Sequence, residues 1–230
     1  MALLAVVGLE APVLASYSQQ NINIFSEEID SLWKNDPVGL SIFLERTETR
    51  LPLFEESFRQ SSVNLDVHWT LIAAISYQES HWNPKAISDT GVRGMMMLTQ
   101  KTAKEMGVKK RTNAAQSIFG GANYFQKNLS RLPEEIPKLD RMWMALAGYN
   151  LGFVNINLAR KLTSESGDNA NLWSDVSLYL PIVLIERYAK EGNKFEKHLQ
   201  AIEYVERIQL YYQTLSILNR ETEMLLLAVN

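Results

Sequence analysis

The stretch Ala73–Trp82, "AAISYQESHW", puts a carboxylate where a helix would carry an apolar residue. At about 100° per residue, Leu71, Ile72, Ile75, Glu79 and Trp82 share one stripe, which predicts an amphipathic helix with Glu79 on its apolar face. A carboxyl there loses hydration, so it either pairs with a cation or keeps its proton toward neutral pH. A protonated carboxyl in an apolar cleft is a general acid. The plainer reading is a glutamate near a helix end that turns out to water or meets an arginine. The residue alone does not decide between them.

Other chemistries are poorly served. The chain has no cysteine, which removes thiol nucleophiles, disulfides and thiolate metal sites. Its three histidines, His68, His81 and His198, make no His-x-x-x-His pair and no zinc spacing. "GVRG" (Gly91–Gly94) is not a phosphate loop, because no Gly-Lys-Ser/Thr follows. We therefore expect no metal and no cofactor. With a net charge of -3 and "KKR" (Lys109–Arg111) as the longest basic run, the chain lacks the basic face of a nucleic-acid binder. "KKR" itself reads as a solvated turn.

The elements that must position Glu79 are helical. In 230 residues, 46% of them hydrophobic, there is no period-2 alternation and no internal repeat, and the fold class expected is all-α. Ser26 is a candidate cap for "EEIDSLWK", and Asp36-Pro37 is a cap followed by proline at the first helical position. A further helix is expected over Leu53–Gln60. Asp66 is the candidate cap of the Glu79 helix, which must stop near Asn83 because Pro84 follows. Thr99 caps "QKTAKEM", which Gly107 ends, and Asn113 with Gln116 has capping-box spacing for a helix to about Leu129. Asp140 is expected to start "RMWMALAGYN", with Phe153–Leu162 another short helix. After a polar loop at Ser164–Asn171 come a short helix following Pro181 and a long one from about Glu196 to Leu227. Residues 1–52 divide off as an N-terminal segment and helical annex from residues 53–230. Residues 1–16 read two ways: as an export signal with a small-residue end at Ala15 and Ser16, though without a basic n-region and interrupted by Glu10, or as a frayed segment or linker left from a longer chain. No stretch is long and apolar enough to span a bilayer.

Four motifs in order add to this reading: "ES" at Glu79 and Ser80, "NPKAISDTGVRGMMMLT" from Asn83 to Thr99, "AGYN" from Ala147 to Asn150, and "YV" at Tyr204 and Val205. Together they resemble the lytic transglycosylases of the goose-lysozyme-like superfamily. The form with "YQESHWNP", "TGVRGMMMLT" and "NLGF" is most like the catalytic module of the membrane-bound F-type branch. The resemblance runs from about Leu53 to Leu215. It implies a lysozyme-like, SLT-type helical domain in residues 53–230. It also implies cleavage of the β-1,4 bond between N-acetylmuramic acid and N-acetylglucosamine in peptidoglycan glycan strands, without water. By analogy Glu79 protonates the bridging oxygen, the N-acetyl group assists departure, and the ionised glutamate then takes the C6 hydroxyl proton to close a 1,6-anhydro ring. Such an intramolecular attack explains why one carboxyl suffices where ordinary glycosidases need two. Asp89 and Glu206 are the other acids nearby, and neither has a motif-level claim.

The resemblance also implies supporting roles. Ser80 would hydrogen-bond and orient the glutamate, although a helix-end serine bonding its own backbone needs no motif. Ser88 and Thr90 would face the sugar, yet both are ordinary turn residues. Gly91 and Gly94 would let the loop turn and approach substrate. Met96 and Met97 would line the floor under the sugar, or pack the core. Tyr149 and Asn150 would contact the N-acetyl group and the surroundings of the glutamate, Asn150 being equally readable as a helix cap. Tyr204 would reach the glutamate with its hydroxyl, or simply pack. The substrate implies a periplasmic or cell-envelope location and admits association with the outer membrane.

Three departures stand out. Many relatives have Gln at the position of Met97, although the F-type branch shares the Met. The F-type pattern has a Gly-Tyr-Ala-Arg-Gly-like run where this chain reads "KFEKHLQ" (Lys194–Gln200). F-type proteins also carry a solute-binding-like regulatory domain ahead of the catalytic module, and no segment of that size precedes Leu53. The competing readings are a muramidase that hydrolyses the same bond and a catalytically silent peptidoglycan-binding scaffold.

Overall fold

A computed structural model describes residues 24–188 and 201–229, and among these the chain is all-α. Residues 24–32 form α1; then come α2 (Pro37–Thr49), a 3-10 turn (Leu51–Leu53), α3 (Glu55–Ser62), α4 (Trp69–Ser80) and α5 (Gln100–Glu105). They are followed by α6 (Ala114–Leu129), α7 (Lys138–Leu151), α8 (Phe153–Glu165), α9 (Trp173–Tyr188) and α10 (Ala201–Val229). Residues 1–16 and the Lys194–Gln200 departure lie outside the described residues, as does the expected start of the last helix at Glu196.

Several boundaries are set by the side chains that the spacing singles out. Asp36 accepts from the Gly39 amide with Pro37 at the first helical position, and Thr99 accepts from the Thr102 amide. Asn113 accepts from Gln116 N at 3.0 Å. The expected reciprocal bond of a capping box is absent, because Gln116 Oε1 instead accepts from the Lys109 and Lys110 amides.

Four expectations are corrected. Ser26 lies inside α1, which already covers residue 24. Asp66 does not cap α4; the helix begins later, His68 Nδ1 accepts from the Thr70 amide, and Asp66 pairs with Lys138. Asp140 lies in the first turn of α7, which starts at Lys138, and accepts from Trp173 N at 2.7 Å. Pro181 does not precede a helix but sits within α9. A proline there removes one ladder bond, at about 3 kcal/mol. Burial of Trp173, Val176, Leu180, Val183 and Leu184 along the same helix offsets it.

The core is organised around α4, against which α10, α3 and α6 pack, with α7, α8 and α9 continuing the layer. α1 and α2 share that core. Ile29 of α1 is buried, Trp33 just past it donates its indole N–H to Thr214 on α10 at 2.9 Å, and Phe43 on α2 is fully buried. Phe43 stacks on Tyr211 of α10 at 5.1 Å between centroids and meets Tyr77 of α4 edge-on at 4.7 Å. Such aromatic pairs contribute about 0.5–1.5 kcal/mol each beyond the area they bury. This cluster clamps the C-terminal half of α4 to α10.

Candidate active site

α4 is not the amphipathic helix that the spacing suggests. Every residue from Trp69 to Tyr77 is buried, so the helix has no solvent face until Gln78 and Glu79. A helix that is apolar all round belongs inside a core. Glu79 is half-buried because it is the penultimate residue of such a helix. Trp82 is not on the stripe at all: it follows the helix and folds back, donating its indole N–H to Ala73 O at 2.9 Å.

The helix ends in two successive left-handed residues, His81 (φ 51) and Trp82 (φ 57). Each costs a non-glycine residue about 1 kcal/mol or more. The buried Trp82 ring and its hydrogen bond hold the reversal in place. The chain is thereby turned away right after Glu79, leaving the carboxyl at the helix end.

Tyr204 on α10 donates its hydroxyl to Glu79 Oε1 at 2.6 Å. Burial pushes the Glu79 carboxyl up to about 7, and the Tyr204 hydrogen bond pulls in the other direction. Desolvation therefore dominates, since a hydroxyl donor favours the charged form without replacing its lost water. No other charged side chain among the described residues contributes to that shift. Asp89 and Glu206 are both exposed. Tyr204 itself is held well above the ordinary phenol range, by burial first and then by the charge of Glu79, so it remains a donor. Tyr149 is raised for the same two leading reasons.

Tyr149 reaches the site from α7. Its hydroxyl donates to Met96 O at 2.8 Å, and its ring meets Tyr124 edge-on at 5.1 Å. Asn150 is exposed on the last turn of α7, and its side chain makes no hydrogen bond among the described residues. It is not the helix cap, because α7 runs to Leu151 and Gly152 takes that position.

Ser80 departs from its implied role. Its hydroxyl donates to Met95 O at 2.9 Å and to Ser76 O at 3.2 Å, and it accepts from Asn83 N, so it bonds the methionine segment and not Glu79. The methionines divide. Met96 is fully buried against Gly121, and its side chain is core packing and not an open floor under a ligand. Met97 is half-buried and left-handed at φ 43.

The loop between α4 and α5 is a compact knot. Isolated antiparallel bridges pair Ile87 with Arg93 and Arg93 with Leu98. Ser88 and Thr90 share a hydroxyl–hydroxyl bond of 3.0 Å at its tip, where Gly91 turns at φ +78. Gly94 (φ +87) has no room for a side chain, as a Cβ would lie 1.8 Å from Arg111 O. Arg111 is a residue the sequence reading missed. Its guanidinium donates to Gly91 O at 3.1 Å and Leu98 O at 2.8 Å, lacing the loop from outside. Within "KKR" it carried no signal, since a charge run looks alike whether it is solvated or aimed at carbonyls. Tyr124 was missed for a similar reason, as an aromatic on an ordinary amphipathic helix.

The arrangement is thus a single carboxyl, protonated near neutral pH, flanked by two un-ionised tyrosines and a rigid polar loop. Comparison with known proteins bears on what it does. The family model for the transglycosylase SLT domain matches residues 56–172, just over half of the chain. Proteins named membrane-bound lytic murein transglycosylase F are similar over most of it. The one from Saccharophagus degradans is 47% identical over 182 residues, covering 77% of this chain and 36% of the relative. That from Photobacterium profundum is 46% identical, covering 78% and 35%. That from Shewanella oneidensis is 41% identical over 214 residues, covering 90% and 44%. The chain thus spans well under half the length of these relatives.

Proposed function

The chain belongs to the transglycosylase SLT family, and on that premise we propose that it is a peptidoglycan lytic transglycosylase. It cleaves the β-1,4 bond from N-acetylmuramic acid to N-acetylglucosamine and leaves 1,6-anhydro ends. The observation that carries this reading is the Glu79 carboxyl, held to about 7 by burial with Tyr204 on Oε1.

With Tyr204 occupying Oε1, the proton resides on Oε2. Glu79 Oε2–H donates that proton to the glycosidic oxygen as the C1–O bond breaks, and the N-acetyl oxygen bonds to C1. Tyr204 stabilises the carboxylate so formed. The carboxylate then takes the proton of the C6 hydroxyl, O6 bonds to C1, and the acetamide is released. Glu79 ends protonated, and no water is consumed. One group near its own pKa at neutral pH serves both steps, the condition for efficient proton transfer in either direction.

Tyr149, Met97, Ser88 and Thr90 form the sugar-facing surface in this reading, with Asn150 at its edge. Ser80, Met96 and Gly94 support it from behind. Residues 53–230 act as the catalytic domain, braced by the helices before it. The relatives' names support a cell-envelope location. No helix among the described residues is long and apolar enough to cross a membrane.

Digestion of purified sacculi with wild type and Glu79→Gln, followed by mass analysis, tests the proposal. The expected products are anhydro-muropeptides, one water lighter than reducing-end products, with activity at least about 100-fold lower in Glu79→Gln. Reducing ends alone would make the protein a muramidase. No cleavage by either protein would make it a binding scaffold.

A further inference from the structure

A groove of about 650 Å³ lies at the α4–α5 loop, lined by Thr90, Gly91, Val92, Arg93, Thr99, Gln100 and Arg111. It begins on Thr90 and Gly91, the residues at the tip of the sugar-facing loop. Two guanidinium groups line it and no carboxylate does. Arg111 donates through Nη1 to the carbonyls of Gly91 and Leu98, and no carboxylate pairs with it among the described residues. Arg93 has no side-chain hydrogen bond and no ion pair among the described residues.

The backbone of Arg93 is nevertheless fixed from both sides. Ser88 N donates to Val92 O at 3.1 Å and Gly94 N to Ala86 O at 3.0 Å, which clamps one flank. Leu98 N donates to Arg93 O at 3.1 Å on the other. An unpaired arginine usually sits on a surface free to move. Here it is the middle strand position of a pinned knot, so its planar fork is presented without further ordering cost to the backbone. The loop's acid, Asp89, is exposed and does not line the groove. Glu105, the acid on the adjoining α5, is already paired with Lys127. Lys101, Lys109 and Lys110 add positive charge on neighbouring segments. The field around the groove is therefore positive in a chain whose net charge is -3.

We propose that this groove binds a carboxylate of the peptide substituents that peptidoglycan strands carry, with Arg93 as the anion-recognising residue and Arg111 supporting it. The inference rests on the transglycosylase reading for its substrate. A strand whose sugar lies against Thr90 lies beside the groove, because Thr90 also lines it. A planar guanidinium matches a carboxylate bidentately, with the Thr90 and Gln100 side chains available beside it. The groove then selects strands that bear peptides over bare glycan.

The test uses the full chain as Glu79→Gln, so that binding is read without turnover. Soluble strands with peptides, and the same strands stripped by an amidase to leave only the lactyl carboxylate on the sugar, are titrated by calorimetry into Glu79→Gln and into Glu79→Gln/Arg93→Gln. The expected result is that Arg93→Gln lowers the preference for peptide-bearing strands about fivefold, the scale of one exposed ion pair. Arg93→Lys, which keeps the charge but not the fork, should retain part of it. Raising salt should erode the preference in the parent protein. A preference that Arg93→Gln leaves unchanged overturns the proposal. Equal binding of both strands, with inorganic phosphate competing at constant ionic strength, also overturns it and assigns the groove to a phosphorylated ligand. If the wild type cleaves neither strand while the Arg93-dependent preference persists, the transglycosylase reading fails and the groove's assignment stands.

Discussion

Replacing Glu79 by glutamine separates the carboxyl's charge from its shape, and it should stabilise the protein at alkaline pH. The folded-state value of about 7 stands against 4.5 for the free group. Between those values the native state binds more protons than the unfolded state, so stability falls as pH rises from about 4.5 to 7 and then levels off. At 1.36 kcal/mol per pH unit the full penalty is about 3 kcal/mol above pH 7 and vanishes below pH 4.5. Glutamine carries no charge to desolvate, and its amide oxygen can still accept from the Tyr204 hydroxyl. Glu79→Gln should therefore melt about 6–12 °C above wild type at pH 8.5 and close to it at pH 4.5, given about 2–4 °C per kcal/mol for a chain of this size. The assay is thermal unfolding of both proteins across that pH range. A constant difference between them, independent of pH, would show that Glu79 is not held protonated by burial. It would remove the physical basis of the acid role.

Activity on glycan strands should be highest below pH 7 and fall about tenfold per pH unit beyond it, because the free enzyme must present the Glu79 proton; a kcat/KM that is flat to pH 9 refutes this. Tyr204→Phe removes a donor to a charged group, worth about 1.5–3 kcal/mol, and should move that alkaline limb up by about one to two pH units while lowering kcat at pH 6. An unmoved limb would mean that the 2.6 Å bond does not persist in solution. Gly94→Ala meets Arg111 O in a left-handed position and should cost about 2–4 kcal/mol by urea unfolding, whereas Gly91→Ala, left-handed but in open space, should cost about 1 kcal/mol. Equal costs at the two glycines would show that Arg111 does not hold the loop.

What was legible in the sequence was local. Asp36, Thr99 and Asn113 cap the helices they precede because a cap is decided within four residues. Asp66 and Asp140 misled because distant partners, Lys138 and Trp173, take their carboxylates, and Pro181 misled because burial along its own helix holds α9 through it. The motif order reached the correct family, yet the apolar-stripe argument for Glu79 was geometrically wrong. α4 has no apolar stripe, and the tyrosines around the carboxyl come from α7 and α10. Periodicity within one helix cannot carry that information. The proton on Glu79 is thus a tertiary property, dependent on how tightly the Phe43, Tyr77 and Tyr211 rings clamp α4 to α10. Loosening that clamp admits water and returns the carboxyl toward 4.5, with every atom of the motif still present. In the proposed mechanism the motif names the acid, and the packing behind it keeps the proton there.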